Sequence, residues 1–73
     1  MAAINVKTEV TGSVWKIVAQ VGQTLVPGET IMLIESMKME IPVIAEEGGS
    51  LAELKVAEGE SVNEGQVVAI LTE

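Results

Sequence analysis

Apolar and polar residues alternate along the first ten positions of the chain, where Ile4, Val6, Thr8 and Val10 fall on one side. A period of two is typical of a β-strand that buries one face. Later segments rich in aliphatic and β-branched residues also predict strands. They cover residues 13–20, 30–35, 41–45, 50–55 and 66–72. Because no segment keeps a helical period, the pattern predicts an all-β protein.

Turn-forming residues separate the predicted strands. They are Gly22, Pro27-Gly28, residues 46–49, Gly59 and residues 63–65. Pro42 falls inside a predicted strand. Proline has no N–H to donate to a neighbouring strand, so this strand is expected at a sheet edge or at the end of a hairpin.

The chain consists of two similar halves. When residues 12–36 are laid over residues 49–73, Gly12, Gly22 and Gly28 each meet a glycine of the second segment. Glycines that coincide at shared spacings indicate shared turns. Neither unit can bury a face alone, so we expect one domain over residues 1–73, with two sheets packed face to face under approximate two-fold symmetry.

The same symmetry predicts where the middle of the chain lies. The hairpin at residues 36–39 joins the two quasi-repeats, and its counterpart after Thr72 is the chain terminus. We therefore expect Lys38 and the chain ends at opposite poles, which places this lysine far from any tether to a larger protein.

The composition limits the chemistry that the chain can perform. It is 48% apolar, with one aromatic residue, no cysteine and no histidine. The core must therefore be aliphatic, and Trp15 is expected to pack half-buried. The lack of histidine argues against catalysis by the chain alone and excludes Ser36 as the nucleophile of a catalytic triad.

Charge narrows the range of partners. Eleven glutamates and four lysines give a net charge of −7. An acidic surface repels a phosphate backbone, so nucleic-acid binding is disfavoured. The acidity would steer the chain toward basic partners or would simply keep it soluble. Lys7, Lys16 and Lys55 are predicted to be solvated strand residues.

The sequence also argues against a metal site, a membrane-spanning segment and a secretory signal. The glutamates show no clustered ligand spacing, so no metal site is predicted. No apolar run is long enough to span a bilayer, and the first residues lack the features of a secretory signal. We expect a cytoplasmic protein that is monomeric as an isolated domain.

The segment Glu35-Ser36-Met37-Lys38-Met39-Glu40 lies at the midpoint of the chain. Met37 and Lys38 are predicted to form a two-residue turn, although such turns usually contain Asn, Asp or Gly. Ser36 would then lie opposite Met39, and Glu35 opposite Glu40. Because like charges placed opposite each other are mildly destabilising, the two glutamates suggest either docking to a basic surface or a contribution to solubility.

This segment resembles the attachment motif of biotinyl carrier domains, whose modified lysine lies in a Met-Lys-Met hairpin. The glycine spacing of both halves is also similar to that of the biotinyl/lipoyl attachment family. The resemblance implies a flattened β-barrel of two four-stranded antiparallel sheets with pseudo-two-fold symmetry. It also implies that Lys38 carries covalent biotin and that a biotin ligase recognises the neighbouring residues. These neighbours are Glu35, Met37, Met39 and Glu40.

The resemblance further implies a biotin carboxyl carrier that is not catalytic alone. A biotin protein ligase would load Lys38, a biotin carboxylase would add the carboxyl group, and a carboxyltransferase would remove it. Lipoyl domains are similar but typically place Asp before the lysine and a small apolar residue after it, so the two methionines favour biotin. A lipoyl carrier for a 2-oxo acid dehydrogenase or glycine cleavage system, a carrier of both cofactors, and an unmodified β-sandwich interaction module remain alternatives.

Two departures from the family pattern bear on these expectations. Family members often have a proline before the first glycine, where this chain has Val10-Thr11. The chain also has no room for the protruding thumb of some acetyl-CoA carboxylase carriers. The second departure predicts a carrier of the thumbless type.

Overall fold

In a computed structural model of the chain, residues 2–73 are described and form eight β-strands. The strands are β1 (Ala3–Lys7), β2 (Gly12–Ile17), β3 (Thr24–Leu25), β4 (Glu29–Ser36), β5 (Met39–Ala45), β6 (Gly49–Leu54), β7 (Ser61–Val62) and β8 (Val67–Thr72). These residues include no helix long and apolar enough to cross a membrane.

The strands form two four-stranded antiparallel sheets, which confirms the expected fold class. Sheet A has the order β1-β8-β6-β3, and sheet B has the order β5-β4-β2-β7. Each sheet therefore draws strands from both halves of the chain. Pro42 lies in β5, an edge strand, as its missing N–H predicts.

Several strands differ from their predicted extents. The first strand ends at Lys7, and β2 ends at Ile17 rather than at Gln20. Beyond Ile17, the N–H groups of Val18 and Ala19 both donate to the carbonyl oxygen of Ile31, so the regular ladder stops there. The two-residue strands β3 and β7 were not predicted, because so short a segment shows no hydrophobic period.

The two sheets match in register when residues 37 positions apart are compared. The bulge at Trp15, between β2 and β4, corresponds to the bulge at Ala52, between β6 and β8. Hydrogen bonds between the halves correspond as well. The N–H of Gly22 donates to the oxygen of Leu51 at 2.8 Å, and the N–H of Gly59 donates to the oxygen of Val14 at 2.7 Å.

The core between the sheets is aliphatic, as the composition predicts. Its buried members are Val14, Ala19, Leu25, Ile31, Met32, Ile34, Val43, Ala45, Leu51, Val56, Val62, Val68, Ala69 and Leu71. Thr8 is the one buried polar residue among residues 2–73. Its hydroxyl donates to the Val10 oxygen at 2.9 Å and accepts from the Val10 N–H at 3.2 Å, so burial leaves it hydrogen-bonded.

The β4–β5 turn and the end of β8 lie at opposite ends of β4. Thr72, the last residue of β8, pairs with Ser50 in β6. The glycine turn just before β6 is hydrogen-bonded to Ala45, which pairs with Glu29 at the start of β4. Since an eight-residue strand is about 23 Å long, the turn is separated from the end of β8 by most of the 36 Å long axis of the molecule.

Candidate functional site

The turn between β4 and β5 has the two-residue geometry that the sequence predicts. Ser36 pairs with Met39 and Glu35 with Glu40, which leaves Met37 and Lys38 as the turn residues. Their φ angles are 52° and 66°, so both lie in the left-handed region. Positive φ at both positions defines a type I′ turn, whose twist matches that of the flanking strands. The cost is about 1–2 kcal/mol for each residue that is not glycine.

The turn exposes the side chains at its tip. Lys38 is exposed, and Met37 and Met39 expose 93% and 63% of their surface. Met32, four residues before Ser36 in β4, is by contrast fully buried in the core. The two methionines beside Lys38 are therefore surface residues and do not fill gaps in the core.

Lys38 forms no side-chain hydrogen bond and no ion pair within residues 2–73. The ion pair found among these residues joins Lys55 to Glu53, with 2.8 Å between Nζ and Oε2. No side-chain hydrogen bond within the same residues involves Lys38. The amine is therefore free to move on its four-carbon stem while its Cα is held by the turn.

The base of the turn is held by a neighbouring loop that the sequence did not indicate. The Ser36 hydroxyl donates to the carbonyl oxygen of Thr11 at 2.8 Å, and the Thr11 hydroxyl accepts from the N–H of Glu64 at 2.9 Å. Gly12, the next residue after Thr11, lies so close to β4 that a Cβ there would overlap the carbonyl oxygen of Glu35. Ser36 thus supports the turn. The glycine coincidence at position 12 was interpreted as a shared turn, but Gly12 lies in β2, where the absence of a side chain permits this close approach.

An acidic pair lies immediately below the tip. Glu35 and Glu40 are cross-strand neighbours and both are exposed. Directly opposite residues have Cβ atoms about 4.5–5.5 Å apart, and no lysine forms an ion pair with either glutamate within residues 2–73. The two carboxylates therefore present an unneutralised acidic surface next to Lys38.

The groove that the described residues form does not include Lys38. A groove of about 540 Å³ runs between the facing edges of β1 and β5, and none of its lining residues belongs to the turn at residues 37–38. Residues 2–73 also contain no group of three or more Asp, Glu, His or Cys side chains that could hold a metal ion. The reactive group that the site offers is therefore an exposed primary amine on a two-residue turn.

Comparison with known proteins identifies relatives of the whole chain. Residues 2–71 match the family described as "Biotin-requiring enzyme". The chain is 38% identical over 69 residues to the biotin/lipoyl attachment protein of Bacillus subtilis, and the match covers 94% of each chain. It is 34% identical over 70 residues to the biotinylated protein TB7.3 homolog of Mycobacterium leprae, covering 96% of this chain and 99% of that protein.

A solved structure extends the comparison to three dimensions. The fold superimposes on part of the urea carboxylase of Kluyveromyces lactis with a TM-score of 0.93 and 33% identity. The match covers 99% of this chain but 6% of the carboxylase, so the chain corresponds to one small part of that enzyme. The chain belongs to the biotin/lipoyl attachment family. It is a small carrier domain of the kind found in biotin-dependent enzymes and is not catalytic alone.

Proposed function

We propose that the chain is a biotin carboxyl carrier and that Lys38 is its attachment residue. The observation that carries this proposal is the strained two-residue turn, which exposes Lys38 between two exposed methionines. A turn of Asn and Gly would fold at lower cost. The strained residues therefore favour a purpose other than folding, as is often the case at functional sites.

The residues at the turn are suited to the loading step. The Nζ amine of Lys38 would attack the carbonyl carbon of biotinyl adenylate held by a ligase; an amide bond forms, AMP leaves, and the amine releases its proton to solvent. The turn fixes the Cα, and the Ser36–Thr11 hydrogen bond stiffens its base. Once attached, biotin supplies the ureido ring that carries the carboxyl group. The free stem of Lys38 would let this group reach separate active sites.

Biotin is favoured over lipoate by the residues on either side of the lysine. The family includes carriers of both cofactors, and an exposed lysine on a tight turn suits either one. Lipoyl domains typically have Asp and a small apolar residue where this chain has Met37 and Met39. The proposed partners are a biotin protein ligase, a biotin carboxylase and a carboxyltransferase. A cytoplasmic location and a monomeric state remain predictions.

The test is to incubate the chain with ATP and either biotin and a biotin ligase, or lipoate and a lipoate ligase. Peptide mass mapping then locates the added group. Lys7, Lys16 and Lys55 are also exposed and serve as controls within the same chain. We expect biotin on Lys38 alone and no label on the Lys38→Arg variant.

Other outcomes would point to the alternatives. Loading by lipoate in place of biotin would indicate a lipoyl carrier, and loading by both would indicate a carrier of either cofactor. A chain purified from its native cell without any modification would favour the interaction module. Label on one of the other three lysines would contradict the assignment of Lys38.

A further inference from the structure

The outer face of sheet B carries an apolar cluster beside the Lys38 turn. Val14 and Ile34 pair across β2 and β4 and are both buried, so the next register position faces outward. At that position Leu33 lies between Lys16 and Pro42, and Trp15 is the extra residue of the bulge. Ile44, two residues beyond Pro42, is on the same face. We call Trp15, Leu33, Pro42 and Ile44 the apolar face.

The equivalent face of sheet A shows that the fold does not need Trp15, Pro42 or Ile44, whereas the counterpart of Leu33 is the apolar Ile70. Residues 37 positions away from Trp15, Pro42 and Ile44 are Ala52, Asn5 and Lys7. They occupy matching register positions, including the matching bulge. Since the backbone accepts a small or polar residue at each of these positions, the tryptophan, proline and isoleucine of sheet B are not explained by folding.

The acidic pair is confined to the same face. Glu35 and Glu40 correspond to Thr72 and Ala3 in sheet A, so the other sheet has no carboxylates at these positions. Trp15 is 49% exposed and Ile44 is 38% exposed, although both are large apolar side chains. The sheet that carries Lys38 thus combines an exposed apolar centre with an acidic border next to the turn.

The apolar face is near enough to Lys38 to contact any protein that reaches the lysine. Leu33 is three residues along β4 from Ser36, which corresponds to about 10 Å. A stable protein interface covers about 800 Å² of each partner, a patch roughly 30 Å across. An interface of this size centred on the turn would extend over the apolar face.

We propose that the apolar face is the docking surface for the ligase that acylates Lys38. This inference rests on the proposed function. At the loading step no cofactor yet extends the lysine side chain, so the ligase must approach the body of the chain to reach the amine. Enzymes that act later could reach the cofactor at the end of its longer arm. The matching ligase surface would have an apolar centre and basic residues opposite Glu35 and Glu40, because charge complementarity favours the encounter.

The test compares variants that install residues already present in the other half. Trp15→Ala introduces the residue found at position 52, and Ile44→Lys introduces the residue found at position 7. In Ala52→Trp a tryptophan is added to sheet A as a control, and the double variant W15A/A52W moves the tryptophan between faces without changing composition. Steady-state kinetics of acylation give KM and kcat for each chain, and thermal unfolding checks that each is folded.

We expect Trp15→Ala and Ile44→Lys each to raise KM at least tenfold with kcat changed less than twofold. The control Ala52→Trp should match the wild-type chain, and W15A/A52W should behave like Trp15→Ala. Wild-type KM for Trp15→Ala would overturn the proposal, as would a lowered kcat with unchanged KM or normal kinetics in the double variant.

If neither a biotin ligase nor a lipoate ligase loads the wild-type chain, the proposed function fails and this inference fails with it. Normal loading of all variants would overturn the docking surface alone.

Binding can also be followed at the tryptophan itself, because Trp15 is the single aromatic residue of the chain. A chain labelled with 5-fluorotryptophan and carrying Lys38→Arg binds without being acylated and gives one ¹⁹F signal. Added ligase should shift or broaden this signal if Trp15 enters the interface. An unchanged signal at ligase concentrations that saturate acylation of the wild-type chain would contradict the proposal.

Discussion

At the scale of single residues, Lys38 obtains its exposure from the turn that contains it. Lys38 and Met37 have similar φ angles, 66° and 52°, but they occupy successive positions of the two-residue turn, so their side chains point in different directions. A ligase that holds its adenylate in a fixed position would therefore distinguish a lysine at one turn position from a lysine at the other. The position of the amine should matter as much as its presence.

Exchanging the turn residues tests this point. The double variant M37K/K38M keeps composition, charge and turn length, and both side chains remain outside the core, so we expect a normal fold by circular dichroism. Biotinylation should fall tenfold or more, because a misplacement of about 1 Å can cost roughly 100-fold when reacting groups must meet in a fixed geometry. Equal rates for the two chains would mean that the ligase reads only a flexible exposed lysine.

The methionines on either side of Lys38 are predicted to determine cofactor choice more than stability. Because Met37 and Met39 expose 93% and 63% of their surface and lie outside the core, the double variant M37D/M39A should keep the native fold, which circular dichroism checks. Biotinylation should weaken and lipoylation should increase, since the variant has the residues typical of lipoyl domains. Rates measured with both ligases decide the matter, and no change with either would exclude the methionines from recognition.

At the scale of elements, the turn joining β4 and β5 is strained, while the strands beside it pair without a register shift from Met32–Val43 to Ser36–Met39. The loop before β2 supports the turn through the Ser36–Thr11 hydrogen bond. The strain is therefore local, and a residue that tolerates positive φ should relieve it without altering the strands.

Met37→Asn is expected to stabilise the chain, because asparagine adopts the left-handed conformation more readily than methionine does. We expect a gain of about 1 kcal/mol, which corresponds to a rise of about 4–8 °C in Tm for a domain of this size. Met39→Asn is the matched control, since Met39 lies in β5 without a positive φ. If both variants unfold at the same temperature, the turn is not strained as described.

At the scale of the whole molecule, strands from both halves interlock in each sheet, and the aliphatic core between the sheets does not involve the turn. The halves cannot fold separately, because β3 pairs with β6 and β7 pairs with β2. Lys38, the proposed attachment residue, is at one pole of a molecule 36 Å long and lies outside the core.

The unmodified chain should therefore already be folded. Thermal unfolding of the unmodified and biotinylated chains should give Tm values within about 4 °C, the shift expected for less than 1 kcal/mol. Amide signals in NMR spectra should differ only near residues 36–39. A chain that is disordered before biotinylation would show that the core described above is not sufficient for folding.

Much of this architecture follows from the sequence because the period of the apolar residues reports which side of a strand is buried. The alternation in β1, the aliphatic composition of the core, the shared glycine spacings and the Met37-Lys38 turn can all be read without knowing which strands pair. Pro42 could be assigned to an edge for the same reason, since a missing N–H excludes a position between two strands.

The tertiary structure alone decided which strands pair and which outer faces differ. A period of two gives the buried side of a strand but not its neighbour, so the interlocked sheets and the two-residue strands β3 and β7 had no signal in the sequence. The Ser36–Thr11 bond joins residues 25 positions apart. A bulge adds Trp15 to β2, so that Trp15 and Lys16 are both exposed after the buried Val14; strict alternation would bury one of the two, and the bulge depends on the partner strand and not on these residues alone.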